Sequence, residues 1–137
     1  VEEDEKEKNL RKVLNFGHTF AHAYEAALGY SKRLNHGEAV ILGIYSALNF
    51  SIKKHLLNKD DYVLIKNHIK NLNLNFNLKT FFSLKHLEKI LSFMLKDKKN
   101  NSKKINLILL KKIGHPIINK NYHKENLRLF MRNELSN

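Results

Sequence analysis

The stretch that decides the fold runs from Leu10 to Glu25: Leu10–Arg11–Lys12–Val13–Leu14–Asn15–Phe16–Gly17–His18–Thr19–Phe20–Ala21–His22–Ala23–Tyr24–Glu25. Glu7, Arg11, Asn15, His18, His22 and Glu25 recur every three or four residues. At about 100° per residue they fall within an arc of about 80° on a helix. Leu10, Val13, Leu14, Phe16, Phe20, Ala21, Ala23, Tyr24, Ala27 and Leu28 occupy the opposite side, from roughly 160° to 340°. A helix with so wide an apolar arc is mostly buried, whereas a solvent-facing helix has a comparable polar face. Buried polar groups are costly unless paired, so the stripe calls for a metal, a polar ligand or internal partners. Gly17, in the middle, is a candidate break between two helical segments.

Outward from this stretch, the acidic lead Glu2–Glu3–Asp4–Glu5–Glu7 suits a helix N-terminus. Gly29 reads as the stop. A second helix is expected from Asn35 or His36 to about Leu57. It is apolar nearly all round, so it belongs at the centre of a core. Gly43 and Ala47, four apart, leave room for a close neighbour. Asn58 and Asp60 are N-cap candidates for a third helix to about Leu72. Residues 73–79 read as a polar link, Ser83–Leu95 as a fourth helix, and Asp97–Lys104 as a charged loop. Ile105–Leu110 is the one β candidate, closed by Gly114 and Pro116. A last helix is expected from about His123 to Leu135. The reading is a mainly α, multi-helix domain with at most one short β-hairpin, around residues 103–113.

The chain has 137 residues, enough for one domain or part of a larger protein. It has no cysteine, which excludes disulfides and thiolate metal sites. No apolar run has the length of a membrane span, and no signal peptide is visible. A cytoplasmic protein is the default expectation. The first residue is Val rather than Met, so a native start further upstream is expected. The formal charge of +12 invites a nucleic-acid reading. Against it, the Lys and Asn bias is spread over the whole length, and Arg, favoured in groove-reading surfaces, is scarce.

His18 and His22 form H-x-x-x-H, which puts two rings on one helical face, within reach of one metal ion. Such a pair alone is more often structural. His36–Gly37–Glu38 adds a third imidazole at the start of the central helix. Three histidines, or two with a carboxylate, make an open zinc site. The plainer readings are a salt bridge from Arg11 to Glu7, an N-cap or loop hydrogen bond for His36, and solvation for Lys98 and Lys99. Arg11 could instead fork a carboxylate or phosphate.

The Leu10–Glu25 stretch, with His36–Gly37–Glu38–Ala39–Val40 after it, resembles the 3-dehydroquinate synthase family. That family reads L-R-x-x-L-N-F-G-H-T-F-G-H-A-I-E and then H-G-E-A-V. Glu3–Asp4–Glu5–Lys6–Glu7, Asp97–Lys98–Lys99 and Ile113–Gly114 fit in the same order. Ala21 stands where the family has Gly, and Tyr24 where it has Ile. The loop before His36 is about a residue longer than usual.

The resemblance implies an enzyme of the shikimate pathway, serving aromatic amino acid and chorismate biosynthesis. It closes a seven-carbon keto-sugar-acid phosphate to 3-dehydroquinate and phosphate, using NAD and a divalent metal, zinc or alternatively cobalt. By position, His18 and His36 match metal ligands. His22, the catalytic candidate, and Asn15 match groups near the departing phosphate. Arg11 matches a carboxylate binder and Glu7 a hydroxyl contact. Lys98 or Lys99 matches the phosphate-binding lysine, with Lys98 favoured. Glu25 has no match.

The third metal ligand, a glutamate, and the nucleotide-binding domain are expected upstream of Val1, leaving residues 1–137 as one helical metal- and substrate-binding domain with no cofactor-binding residue of its own. Such a fragment is expected to be inactive alone, and the full-length enzyme to be a homodimer. The nearest rival is a related sugar-phosphate cyclase such as 2-deoxy-scyllo-inosose synthase. Arg11 favours a carboxylate substrate over it. Iron-containing alcohol and glycerol dehydrogenases are disfavoured by the full Asn15–His22 motif. The rivals of another class are a basic helical nucleic-acid binder and a helical interaction module.

Overall fold

The computed structural model describes residues 17–72, 77–95, 104–112 and 115–136. Glu7, Arg11, Asn15, Lys98 and Lys99 lie outside these, as do the expected helical segment before Gly17, most of the 73–79 link and most of the charged loop. The described elements are α1 (His18–Ala27), α2 (His36–Lys53), α3 (Lys59–Asn71), α4 (Leu78–Phe81), a 3-10 turn (Leu84–His86), α5 (Leu87–Met94), strands β1 (Lys104–Lys112) and β2 (His115–His123), and α6 (Lys124–Leu135). The molecule is mainly helical, with one antiparallel hairpin.

Gly17 is the residue at which α1 begins. Its φ of 82° is left-handed, a conformation glycine adopts without strain. Among the described residues the helical arc carries His18, His22 and Glu25. The other end closes as a Schellman motif: the Tyr30 N–H donates to the Glu25 carbonyl and the Gly29 N–H to that of Ala26. Gly29 supplies the left-handed residue this turn needs, with φ 66°. Between the two glycines, Phe20, Ala21, Ala23, Tyr24, Ala26 and Ala27 are buried.

α2 starts at a capping box. The Asn35 side chain accepts from the Glu38 N–H at 2.8 Å, and the Glu38 carboxylate accepts from the Asn35 N–H at 3.0 Å. The helix ends at Lys53, four residues before the expected stop. His55 has a left-handed φ of 60°, and the Leu56 and Leu57 N–H groups turn back to the Ser51 carbonyl. The Asn58 side chain caps α3 by accepting from the Asp61 N–H at 2.8 Å. α4 was not legible: it is one turn that begins in the last two residues of the 73–79 link and runs on to Phe81, started by Asn77 accepting from Lys79 N–H at 3.0 Å. The fourth expected helix begins as a 3-10 turn, with Ser83 N–H donating to His86 Nδ1 at 3.0 Å.

α1 and α2 form the centre and pack against α5 and β1. Phe20, Tyr24, Phe50 and Phe130 meet there from α1, α2 and α6. The Phe50 and Phe130 rings are edge-on at 5.0 Å, as are Phe20 and Phe130 at 6.0 Å, a preferred aromatic geometry. The Tyr24 hydroxyl, fully buried, is satisfied by Ser46 Oγ at 2.5 Å. Ile105 and Leu107 of β1, two apart and hence on one face, are both buried against this core. The hairpin is the expected β element, but it extends to His123 rather than closing by about residue 113. Its second strand carries Asn119, Lys120 and Asn121, weak strand formers, and Pro116. Among the described residues β2 pairs with β1 alone, so it is an edge strand, where proline is tolerated, and Pro116 sits opposite Leu110 beside a register irregularity.

Candidate functional site

Two side-chain pairs, His18 with His22 and Glu25 with His36, lie where α1 faces the start of α2. His18 and His22 are one turn apart on α1, and their Nε2 atoms are 2.5 Å apart. The rings sit at 4.0 Å between centroids and 58° between planes. Two ring nitrogens so placed must either share one proton or aim two lone pairs at one cation, because two N–H groups cannot face each other. From α2, His36 Nδ1 lies 3.0 Å from Glu25 Oε1. His36 is thus on the same face as His18 and Glu25. The capping residue is Asn35, which excludes His36 as the N-cap. The imidazoles are solvent-exposed, whereas the Glu25 side chain is only 14% exposed.

Burial is the first cause that pushes His18 below the usual histidine range. The neighbouring His22 and His36 rings push the same way, and Glu25 partly opposes them. A depressed imidazole is neutral over more of the pH scale, and the neutral ring is the one that ligates a metal. The sign follows from linkage. Below its ordinary pKa of 6.5 the unfolded chain takes up a proton at His18 more readily than the folded one, so His18 makes stability fall as pH drops through that window. A proton-resolved NMR titration of the His18 ring should give a midpoint below 6.5; a midpoint at or above 6.5 would contradict this.

Glu25 is the site residue for which sequence reasoning found no role. The signal was its place on the His18–His22 stripe, seven residues from His18. What it meets was not legible, because the partner arrives from another helix. Among the described residues no group of three or more His, Asp or Glu side chains could hold a metal ion by itself. The imidazoles of His18 and His36 are of the donor type that would supply part of a ligand set. Three protein ligands are usual for a catalytic zinc.

A histidine pair on α1 and a third ring held by a carboxylate define a helical domain with a histidine-lined polar face. Residues 1–100 match the family described as 3-dehydroquinate synthase C-terminal. The chain belongs to that family. It is 54% identical over 136 residues to 3-dehydroquinate synthase of Pelagibacter ubique (strain HTCC1062), covering 99% of this chain and 37% of that protein. It is 41% identical over 130 residues to that of Endomicrobium trichonymphae, covering 94% of this chain and 34% of the relative. The chain therefore spans little more than a third of the curated relatives' length. A crystal structure of 2-deoxy-scyllo-inosose synthase complexed with carbaglucose-6-phosphate, NAD+ and Co2+ has the same fold. It superposes with a TM-score of 0.71 at 20% identity, over 87% of this chain and 34% of that one. Among the described residues no helix is long and apolar enough to cross a membrane.

Proposed function

We propose that residues 1–137 form the metal- and substrate-binding part of a 3-dehydroquinate synthase, with a nucleotide-binding part supplied by the rest of the enzyme. The reaction converts 3-deoxy-arabino-heptulosonate 7-phosphate to 3-dehydroquinate plus phosphate, with NAD and a divalent ion, zinc or cobalt, as cofactors. The observation that carries this reading is that two separate motifs supply the His18–His22 pair and the Glu25–His36 pair, with His36 and Glu25 close enough to act electrostatically on His18. When bound, a divalent ion would polarise the substrate hydroxyl that is oxidised.

The chain's own residues hold the substrate around it. Neutral imidazoles of His18 and His36 offer ring nitrogens to the ion. His22, one turn further along α1, matches by the family motif a group near the departing phosphate, to which its ring would donate a hydrogen bond and a proton. Arg11 and Asn15, matched by the family motif, would bind the carboxylate and the phosphate, and Glu7 a ring hydroxyl. Lys98 or Lys99 would neutralise phosphate charge from the other side. The enzyme works as a cytoplasmic homodimer in this reading.

The test is product formation by the intact gene product with NAD and Zn2+ or Co2+, offered the heptulosonate phosphate or a hexose 6-phosphate in parallel. Turnover of the heptulosonate alone supports the reading. Preference for the hexose phosphate would assign the chain to the related cyclase whose fold it shares. Residues 1–137 alone should give no product, and turnover by them would overturn the division of labour.

A further inference from the structure

We infer that Glu25 is the positioning residue for His36: it holds the ring by Nδ1, so that Nε2 is the nitrogen left bare for a ligand. The inference rests on the metal-site reading above and deepens it. An ionised carboxylate only accepts hydrogen bonds, so the nitrogen 3.0 Å from Glu25 Oε1 must carry the proton. That nitrogen is Nδ1. A neutral ring has one N–H, so Nε2 is then the lone-pair nitrogen.

The rest of the geometry shows why such a residue is needed. His36 occupies the first position of α2 and its side chain is 72% exposed, so packing does not fix the ring. The capping box pins the backbone on either side of His36, through Asn35 and Glu38, but leaves the ring free to rotate. Glu25 is the fixed point. Its side chain is largely buried, and its own carbonyl is tied into the Schellman turn by the Tyr30 N–H at 2.9 Å. One helix thus sets where His36 starts and the other sets which way its ring points. Partners of this kind, behind a metal ligand, are worth about 10–100-fold in metal affinity.

The experiment compares the intact gene product with Glu25→Ala and Glu25→Gln, using long-range proton–nitrogen NMR of labelled histidine and titration with Co2+ alone. In the wild type His36 should carry its proton on Nδ1. Glu25→Ala should populate the Nε2–H form and bind Co2+ about 10–100-fold more weakly. Glu25→Gln keeps an acceptor oxygen without the charge, so it should restore the tautomer and most of the affinity. An unchanged tautomer and affinity in Glu25→Ala would overturn the role. So would a Glu25→Gln protein that keeps Nδ1–H yet binds as weakly as Glu25→Ala, because charge rather than orientation would then be acting. If wild type binds no Co2+, the metal-site reading fails and takes this role with it. Co2+ binding that is indifferent to Glu25 refutes the role alone.

Discussion

In the intact gene product, His18→Ala should reduce product formation by about a thousandfold or more, while His86→Ala leaves it about unchanged. The magnitude follows from what a polarising ion supplies, several kcal/mol of transition-state stabilisation, at about 1.4 kcal/mol per tenfold in rate. His18 is the ring on which the site converges: its Nε2 meets that of His22, and its protonation is opposed by both His22 and His36. Removing it takes a ligand away and leaves His22 Nε2 without its partner. His86 is a fair control because its ring nitrogen is spent locally, accepting the Ser83 N–H in the turn before α5. His18→Ala should retain the wild-type melting transition, since His18 is exposed, whereas His86→Ala loses the Ser83 hydrogen bond and the edge-on contact with Phe82 and should melt slightly earlier. Metal content, measured alongside, should fall only in His18→Ala. An undiminished rate in His18→Ala with metal retained would show that the histidine face is not the reaction site.

What could be read from the sequence was whatever depends on one element at a time. The apolar arc of α1, the near-continuous apolarity of α2, the Asn58 cap and the Gly29 stop are local patterns, and each stands where expected. The His18–His22 spacing is equally local. The second strand was not legible, because Asn119–Lys120–Asn121 has no strand propensity and its place is set by pairing with β1, whose Ile105 and Leu107 are anchored in the core. α4 is too short for its period to show. Glu25 was visible as a member of the stripe, but its role required knowing that His36 lies opposite. The family resemblance matched both His36 and His18 to metal ligands, and the fold added a carboxylate against His36.

That juxtaposition depends on how closely α1 and α2 approach, which leads to the second large effect. A side chain at Gly43 would place its Cβ 2.5 Å from the Gly17 carbonyl oxygen, 2.8 Å from the Ala21 nitrogen and 2.9 Å from the Ala21 Cβ. A Cβ at Gly17 would in turn lie 2.5 Å from the Gly43 carbonyl oxygen. These are backbone atoms of two helices, so no rotamer change can make room and the helices must part. Ala21, standing where the family motif has glycine, is accommodated because the residue facing it is itself a glycine. Gly43→Ala should therefore cost about 3 kcal/mol or more, at the top of the overpacking range. In an intact gene product as long as the relatives, nearly three times this chain's length, that corresponds to a melting temperature lower by about 4 °C.

Gly29→Ala is the matched control. Its φ of 66° penalises alanine by about 1 kcal/mol, but nothing lies within 4 Å of the added carbon. The two substitutions also differ in what they do to the site. Parting α1 from α2 lengthens the 3.0 Å contact between Glu25 and His36, so Gly43→Ala should lose Co2+ affinity at temperatures where it is still folded. Gly29→Ala, beyond the end of α1, should keep it. A Gly43→Ala protein that melts within about 2 °C of wild type would mean that the crossing is softer than its backbone contacts imply. One that melts early yet binds Co2+ normally would mean that the histidine face does not depend on the crossing. The glycine pair is thus tested twice, once as a determinant of stability and once as the spacer that sets the distance between the two halves of the site.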